Sequence, residues 1–590
     1  MAVTAELTVG HTLPGGIESI LAADIGSTWT HVCLIDRVEG TYRLIARAEE
    51  PSLRNGSLDV LAAVRGAVQR IERIAQRSLL DGVGELISPE GEAGVGVDAM
   101  VACSSAGAPL RCAVIGLTAD LSLASATQAC ANTMARVTQA ITLEQSRGPA
   151  ALAPLLALEA SPPEVIVLTG GFDNGPVAPL QAAAEMLAAV FAAWPAEQRP
   201  SVVYAGNQEA RRPVAHALGS GFRLAVVDNV RPNEDTESPR ELQRELNHIY
   251  RERQLAALPG METLRRWCAG PIISTGDALA VALQFLARRN DLPTGVLGVD
   301  IGGNATSLIG ARQGALHTAI DAGVGTAGGL RGVLGNESLW RVAQWLPTVR
   351  SEDDMAAELE NASLYPTSVP QTLDDLLLVH AAARVAVAQV YERWRADCPL
   401  VRGKPFAYNL IAARGGCLTH CPHDGLAALM LLDALQPVGL ARLVLDWGAL
   451  WPQLGVLAAT APLAASQVFN RDGVSDLGMV LCPTGTMRAG DRALRIVIES
   501  PTRAPQSLEV PFGDIIRVPL SPEESVTIKV WPNARLDLGL GEPGRPAQAR
   551  IQGGRLGLII DARGRPLQLP SAPQQRAESQ QRWINALCPR

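Results

Sequence analysis

Twice in this chain an apolar strand runs into Asp-Ile-Gly, turns through small residues and returns as a second strand. The first corner is Asp24-Ile-Gly-Ser-Thr28, within Ile20 to Ile35, and the second is Asp300-Ile-Gly-Gly-Asn304, within Val296 to Ile309. One Asp-Gly turn is ordinary punctuation between strands. Recurrence of the same corner, each time opening a β-meander of similar plan, points to an internal duplication and so to two related lobes facing one another across a cleft. The meanders continue through Tyr42-Arg-Leu-Ile-Ala46 and Ala315-Leu-His-Thr-Ala319.

Corners of this composition suit phosphate. Glycine lets the backbone turn tightly and bring N–H groups against phosphate oxygens, hydroxyls add donors, and an aspartate can hold Mg²⁺ through water. The phosphate-binding candidates are Gly26, Ser27, Thr28 and Thr30 in the first corner and Gly302, Gly303, Asn304 and Thr306 in the second. Asp24 and Asp300 are the catalytic candidates, expected to organise Mg²⁺ and an attacking water for ATP hydrolysis. A third element, Leu410-Ile-Ala-Ala-Arg-Gly415-Gly416-Cys-Leu418, is an apolar strand entering two glycines before a helix near Asp424. Gly415 and Gly416 are read as bordering the adenosine, a plain strand-to-helix turn being the alternative.

At 590 residues the chain exceeds one ordinary core. The expected division is a first lobe over 19–290, with an α/β extension from about 160, a second lobe over 295–475, and a β-rich domain over 476–590. A helix is expected from Leu58 to Leu80, with Leu61, Val64, Val68, Ile71 and Ile74 on its apolar face. Ser122 to Leu143 reads as an Ala-rich helix, and 375–395 and 424–445 as further helices. Between 160 and 230, strands ending in small or polar residues alternate with helical segments, which argues for a parallel sheet with ligand-facing loops at the strand carboxyl ends. Beyond 476, short alternating strands punctuated by Pro and Gly argue for all-β structure.

With these elements in order, the chain resembles the superfamily of actin, the Hsp70 ATPase domain, sugar kinases and activator ATPases, and more closely the glutamate mutase MutL family, which is distinct from the mismatch-repair protein of the same short name. The resemblance covers nearly the whole length. It is carried by the two corners and by Thr169-Gly-Gly-Phe-Asp-Asn-Gly175, Tyr204-Ala-Gly-Asn207, Ile272-Ile-Ser-Thr-Gly-Asp277 and Gly553-Gly-Arg-Leu-Gly-Leu-Ile-Ile-Asp-Ala-Arg-Gly-Arg-Pro566. It implies an α/β fold of two actin-like (ribonuclease H-like) lobes around a nucleotide cleft, with additional parallel α/β elements and a C-terminal all-β domain. It also implies an ATP-binding, ATP-hydrolysing reactivating chaperone whose partners are subunits of an adenosylcobalamin-dependent carbon-skeleton mutase. The cobalamin belongs to that partner enzyme. The family usually carries Lys where this chain has His31, and Gly-Ala-Thr-Thr-Asp where this chain reads Gly303-Asn304-Ala305-Thr306-Ser307. Losing a cation and a carboxylate beside the phosphates favours nucleotide binding over fast turnover.

Other classes fare worse. A net charge of −8 supplies no basic field for nucleic acid or anionic lipid. Ten cysteines, several inside apolar runs such as Val32-Cys33-Leu34, follow no disulfide spacing and suit a reducing compartment, so a cytoplasmic location is expected, with homo-oligomers open. The uncharged stretch Trp447 to Asn470 approaches membrane-spanning length but contains Pro452 and Pro462, and reads as a buried helix and loop. Cys417, His420, Cys421 and His423 are close together but lack a second ligand cluster. Ser104-Ser105 lacks the pattern of a nucleophile elbow. Asp173 and Asn174 could reach a ligand or simply close their own turn. Two rival functions share the fold: a small-molecule kinase, which needs a carboxylate base beside a bound hydroxyl, and a filament-forming structural protein.

Overall fold

A computed structural model describes residues 16–54, 56–143, 149–289, 292, 294–312, 314–336, 339–397, 408–501 and 503–589. They fall into two compact units, one of 107–258 with 320–322, the other of the remaining described residues.

The larger unit opens with β1 (Ser19–Ile25), β2 (Trp29–Val38) and β3 (Thr41–Pro51), an antiparallel meander, followed by β4 (Ala99–Ser104) parallel to β1. Every residue of β1 and β4 is buried, as expected of central strands covered on both faces. Helix Val60–Ala75 covers this sheet. Asp59 caps it by accepting from the Ala62 amide, and Val60, Val64, Val68 and Ile71 are its buried stripe. Burying each such side chain contributes about 1.5–3 kcal/mol. The helix stops short of Leu80, because Gln76 turns left-handed (φ 52°) and its N–H closes on the Glu72 carbonyl. Ile74, expected on the apolar face, is exposed.

The smaller unit contains β5 (Leu110–Gly116), β6 (Ala135–Thr142), β7 (Val165–Thr169), β8 (Ser201–Tyr204) and β9 (Leu224–Val226). They form one parallel sheet in the order β9-β8-β7-β5-β6. Residues 122–143 are therefore not one helix: the α-helix ends at Ala131, and β6 follows. Alanines suggested helix, but Val137, Ile141 and Thr142 are β-branched and pair along β5. At the carboxyl ends the loops bond to one another. Asn229 Nδ2 donates to Asp173 Oδ1 (2.9 Å) and to the Gly171 carbonyl (3.0 Å), and Asn207 Nδ2 donates to the Gly175 carbonyl (3.0 Å). Asp173 thus serves its own loop cluster. The charged run 234–253 carries an amphipathic helix, Arg240–Tyr250, with Leu242, Leu246, Ile249 and Tyr250 buried.

In the larger unit, β10 (Ile273–Ser274) pairs parallel with β4 and completes the order β10-β4-β1-β2-β3. The second lobe repeats this plan with β11 (Val296–Ile301), β12 (Thr306–Arg312), β13 (Ala315–Asp321), β14 (Leu410–Arg414) and β15 (Gly439–Leu445), in the order β13-β12-β11-β14-β15. Both sheets are a meander plus two parallel strands added beside its first strand, the duplicated ribonuclease H-like plan of actin-like ATPases. Residues 424–445 are likewise not one helix, since Asp424–Leu435 ends at left-handed Gln436 before Pro437 and the chain then forms β15. Residues 447–470 hold two helices, Trp451–Thr460 and Pro462–Arg471, whose apolar faces join Ile20, Leu279 and Leu283 in one core. No helix among the described residues is long and apolar enough to cross a membrane.

The C-terminal region divides. β16 (Ser475–Cys482), β19 (Ile515–Val518) and β22 (Gly557–Asp561) extend the second lobe's sheet beyond β15 in the order β15-β16-β22-β19, while β17 (Arg492–Glu499), β18 (Gln506–Pro511), β20 (Ser525–Pro532) and β21 (Ala547–Gln552) form a separate antiparallel sheet. The region also contains a helix, Pro573–Leu587, which returns Trp583, Ile584 and Leu587 to the second lobe's core. The Gly553–Pro566 motif forms β22 and a buried ionic chain: Arg563 bonds Asp561 and Asp433, Asp433 bonds Arg384, and Arg565 bonds Asp561.

Candidate functional site

The two corners fold alike. Asp24 pairs with His31 and Ile25 with Thr30, and the Gly26 amide donates to the Trp29 carbonyl (3.0 Å). In the second lobe Asp300 pairs with Ser307 and Ile301 with Thr306, and the Gly302 amide donates to the Ala305 carbonyl (2.9 Å). The duplication read from the sequence is therefore a duplication of register and of turn.

The tips of the corners meet. Asn304 Nδ2 donates to Ser27 Oγ (2.9 Å), and a Cβ at Gly303 would overlap the Thr28 hydroxyl, so only glycine permits that approach. The Thr28 and Thr306 hydroxyls are buried without a hydrogen-bond partner among the described residues. Thr30 is placed differently from the other candidates. It is fully buried and its hydroxyl lies 2.8 Å from Ser52 Oγ, so it ties β2 to the end of β3. A segment that sequence reasoning missed, Gly323-Val-Gly-Thr-Ala-Gly-Gly-Leu330, backs the second corner: the Ala327 and Gly329 amides donate to the Gly303 carbonyl (2.8 and 2.9 Å) and the Thr326 amide to the Gly302 carbonyl (3.0 Å). Its four glycines around Thr326 and Ala327 were the available signal.

Arg414 is the last residue of β14. Gly415 follows with φ 132°, pressed so closely on the Ile301 carbonyl that a Cβ would not fit, and Gly416 begins the short helix Gly416–Thr419. The Arg414 guanidinium faces three aspartates: Nη2 donates to Asp24 Oδ2 (2.7 Å), Nη1 lies 3.5 Å from Asp300 Oδ2, and Nε lies 3.6 Å from Asp446 Oδ2. Asp24 also accepts from the Thr275 hydroxyl (2.8 Å), and Asp446 accepts the Leu450 (2.7 Å) and Trp451 (3.0 Å) amides that open the next helix. Thr275 lies within the Ile272–Asp277 motif, but Asp446 did not stand out in the sequence. Asp446 directly follows β15, as Asp300 lies near the end of β11, and that parallel was the missed cue.

Electrostatics separate the three carboxyls. Burial pushes Asp24 up, but Arg414, His31 and the Thr275 hydroxyl outweigh it and hold the carboxyl below its ordinary range. Asp300 is raised, by burial and by Asp24, against the pull of Arg414. Asp446 is pushed up to about 6 by burial, which Arg414 and two backbone amides only partly offset. Burial lowers Arg414, but Asp300, Asp24 and Asp446 overcome this and keep it a cation. At the rim, Glu49 lies 3.5 Å from His31 Nδ1 and 3.6 Å from His420 Nε2.

The guanidinium sits between Asp24 and Asp300, the two carboxylates expected to organise Mg²⁺. His380, Cys417 and Cys421 do gather, with His380 Nε2 2.7 Å from the Cys417 carbonyl and 3.4 Å from Cys421 Sγ, yet no group of three or more His, Cys, Asp or Glu among the described residues could hold a metal ion. Ser104 Oγ donates to the Ile25 carbonyl (3.0 Å) and is structural.

Comparison with known proteins bears out the resemblance. The curated Protein MutL of Clostridium tetanomorphum is 23% identical over 397 residues, covering 64% of this chain and 79% of that protein. Among solved structures, nucleotide-free acetone carboxylase matches at 12% identity and a TM-score of 0.37, covering 84% of this chain and 81% of its own. The nucleotide-free diol dehydratase-reactivating factor matches at 12% identity and a TM-score of 0.31, covering 76% of this chain and 100% of its own. The family described as MutL protein matches residues 20–472, more than half of the sequence, and the chain belongs to that family.

Proposed function

We propose that the chain binds ATP between its two corners, hydrolyses it, and uses the cycle as a cytoplasmic accessory or reactivating chaperone of an adenosylcobalamin-dependent carbon-skeleton mutase. The observation that carries the nucleotide half is the meeting of two equivalent Gly-bearing corners at Ser27 and Asn304. Backbone amides turned tightly at a strand end are natural phosphate donors. The Thr28 and Thr306 hydroxyls, buried without partners among the described residues, would complete that donor set. Gly415 and Gly416 would border the adenosine.

The aspartates take unequal roles in this reading. Asp24, tied to Arg414 and Thr275, positions the guanidinium. Asp300, with a fifth of its side chain exposed and its pKa raised, accepts the proton of the attacking water. Contacts of the γ-phosphate to both corners hold the lobes closed, and hydrolysis releases them. Membership of the MutL family supports the mutase partner, whose cobalamin stays with that enzyme.

Two measurements test this. Titration with a fluorescent ATP analogue should saturate at one nucleotide per chain, and absence of binding removes the nucleotide half. Capture of native lysate on the immobilised chain should retain a cobalamin-dependent mutase subunit with ATP or ADP present and lose it without; retention of no such subunit removes the partner half.

A further inference from the structure

Large apolar side chains that reach the surface are scattered among the described residues, never more than two in ten consecutive positions, with one exception. In the segment between β13 and β14, Leu364, Tyr365, Val369 and Leu373 fall within ten residues and are each 52–62% exposed. They sit where helix Glu352–Leu364 ends and helix Leu373–Asp397 begins. The turn between the helices is held by its own hydrogen bonds. The Tyr365 amide donates to the Asn361 carbonyl (3.0 Å) and the Ser368 amide to the Tyr365 carbonyl (2.9 Å). Thr372 and Asp375 cap the second helix reciprocally: the Thr372 hydroxyl accepts the Asp375 amide (3.1 Å) and the Asp375 carboxylate accepts the Thr372 amide (3.0 Å). The inner faces of the same helices, with Met355, Leu359, Leu378 and Val385, already fill a core. The four side chains are therefore turned outward on a fixed backbone, and apolar residues clustered in this way mark a surface that another molecule covers.

Charge selects the occupant. Residues 349–375 hold seven Asp and Glu against one Arg, a net −6 in a chain whose total is −8. That Arg, Arg350, is already paired with Glu358, while Glu360 and Asp374, which flank the four apolar residues, form no ion pair among the described residues. Such a face repels nucleic acid and anionic lipid, and a second copy meeting it patch to patch would oppose like charges. The described elements between β13 and β14 are helices, so no strand edge is offered to an extended peptide. We propose that Leu364, Tyr365, Val369 and Leu373, rimmed by Glu360 and Asp374, dock a cationic amphipathic helix of a partner protein. Its apolar stripe covers the four side chains and its Lys or Arg residues face the carboxylates.

The probe is a fluorescein-labelled amphipathic helix of Leu and Lys, titrated with the full chain by fluorescence anisotropy. No nucleotide is added, so this result and that of the nucleotide titration stand or fall separately. The helix should bind at least about tenfold more tightly than a peptide of the same composition scrambled to remove the apolar stripe, and than one with every Lys replaced by Glu. The double variant Tyr365→Ser, Leu373→Ser should lose about tenfold or more in affinity for it, and Glu360→Gln with Asp374→Asn should weaken it and flatten its salt dependence. All four positions are exposed, so the fold should survive, as circular dichroism would show. Absence of binding, equal binding of either control peptide, or undiminished binding by the Tyr365/Leu373 variant overturns the proposal. Should a variant fail to fold, the three peptides on the wild-type chain decide alone.

Discussion

Asn304 of the second lobe donates from Nδ2 to Ser27 Oγ of the first over 2.9 Å, so the tips of the two corners touch. With Gly303 against Thr28 and Arg414 on Asp24, this contact joins residues of both lobes in one cluster.

Widening that surface should disable it. Gly303→Ala places a methyl where the Thr28 hydroxyl lies, a local overpacking costing about 1–3 kcal/mol. The expected outcome is a loss of about tenfold or more in ATP affinity, measured by fluorescent nucleotide titration, with an unchanged circular dichroism spectrum. Wild-type affinity in this variant would separate the tips from nucleotide binding.

Turnover should depend on Asp300 more than binding does. Asp300→Asn keeps the shape but removes the proton acceptor, and a general base contributes about 10²–10⁴-fold. ADP release should fall by at least about a hundredfold while ATP affinity stays within about threefold. Unchanged turnover would take the base role from Asp300.

Acid should reveal Asp446. Its carboxyl titrates at about 6 when folded, against an ordinary value of 3.8, so between those values the folded chain binds more protons than the unfolded one. Its contribution therefore becomes more favourable as pH falls from 7 to 4, by about 3 kcal/mol at most. Asp24, held below its ordinary value, contributes stability above the unfolded pKa and loses it only on further acidification through its folded pKa, below this window. Urea denaturation across pH 7 to 4 should show wild type gaining stability relative to Asp446→Asn. A constant difference between the two would contradict the assignment.

Buried and exposed ion pairs should behave oppositely on truncation. Arg563 bonds Asp433 and Asp561, all three essentially inaccessible, and Arg563→Ala should cost about 3–5 kcal/mol by leaving carboxylates unpaired. Arg492, paired with Glu509 in the open, should cost less than about 1 kcal/mol. Chemical denaturation of both variants is the check, and equal costs would refute the contrast.

The sequence disclosed what is local. An Asp-Ile-Gly corner encodes its own turn, so Asp24 and Asp300 were found with their glycines, and the apolar runs around them marked the strands. What it concealed was partnership at long range. Arg414 and Asp24 are hundreds of residues apart, and nothing in either segment says that one will neutralise the other. Alanine-rich composition hid β6, whose β-branched residues gained more from pairing with β5 than a lone helix would have offered. A run of apolar residues after Asp424 hid the break at Gln436 and Pro437, and with it β15 and the role of Asp446. Thr30 was chosen by proximity to the corner, but its side chain faces Ser52.

Because β16, β22 and β19 continue the sheet that carries Asp300 and Arg414, the tail is no detachable appendage. Cutting the chain after residue 474 would strip β15 of its antiparallel neighbour and leave the open edge of a half-finished sheet within one strand of Arg414. A load placed on those far strands is passed through paired neighbours to the strands that bear Asp300 and Arg414.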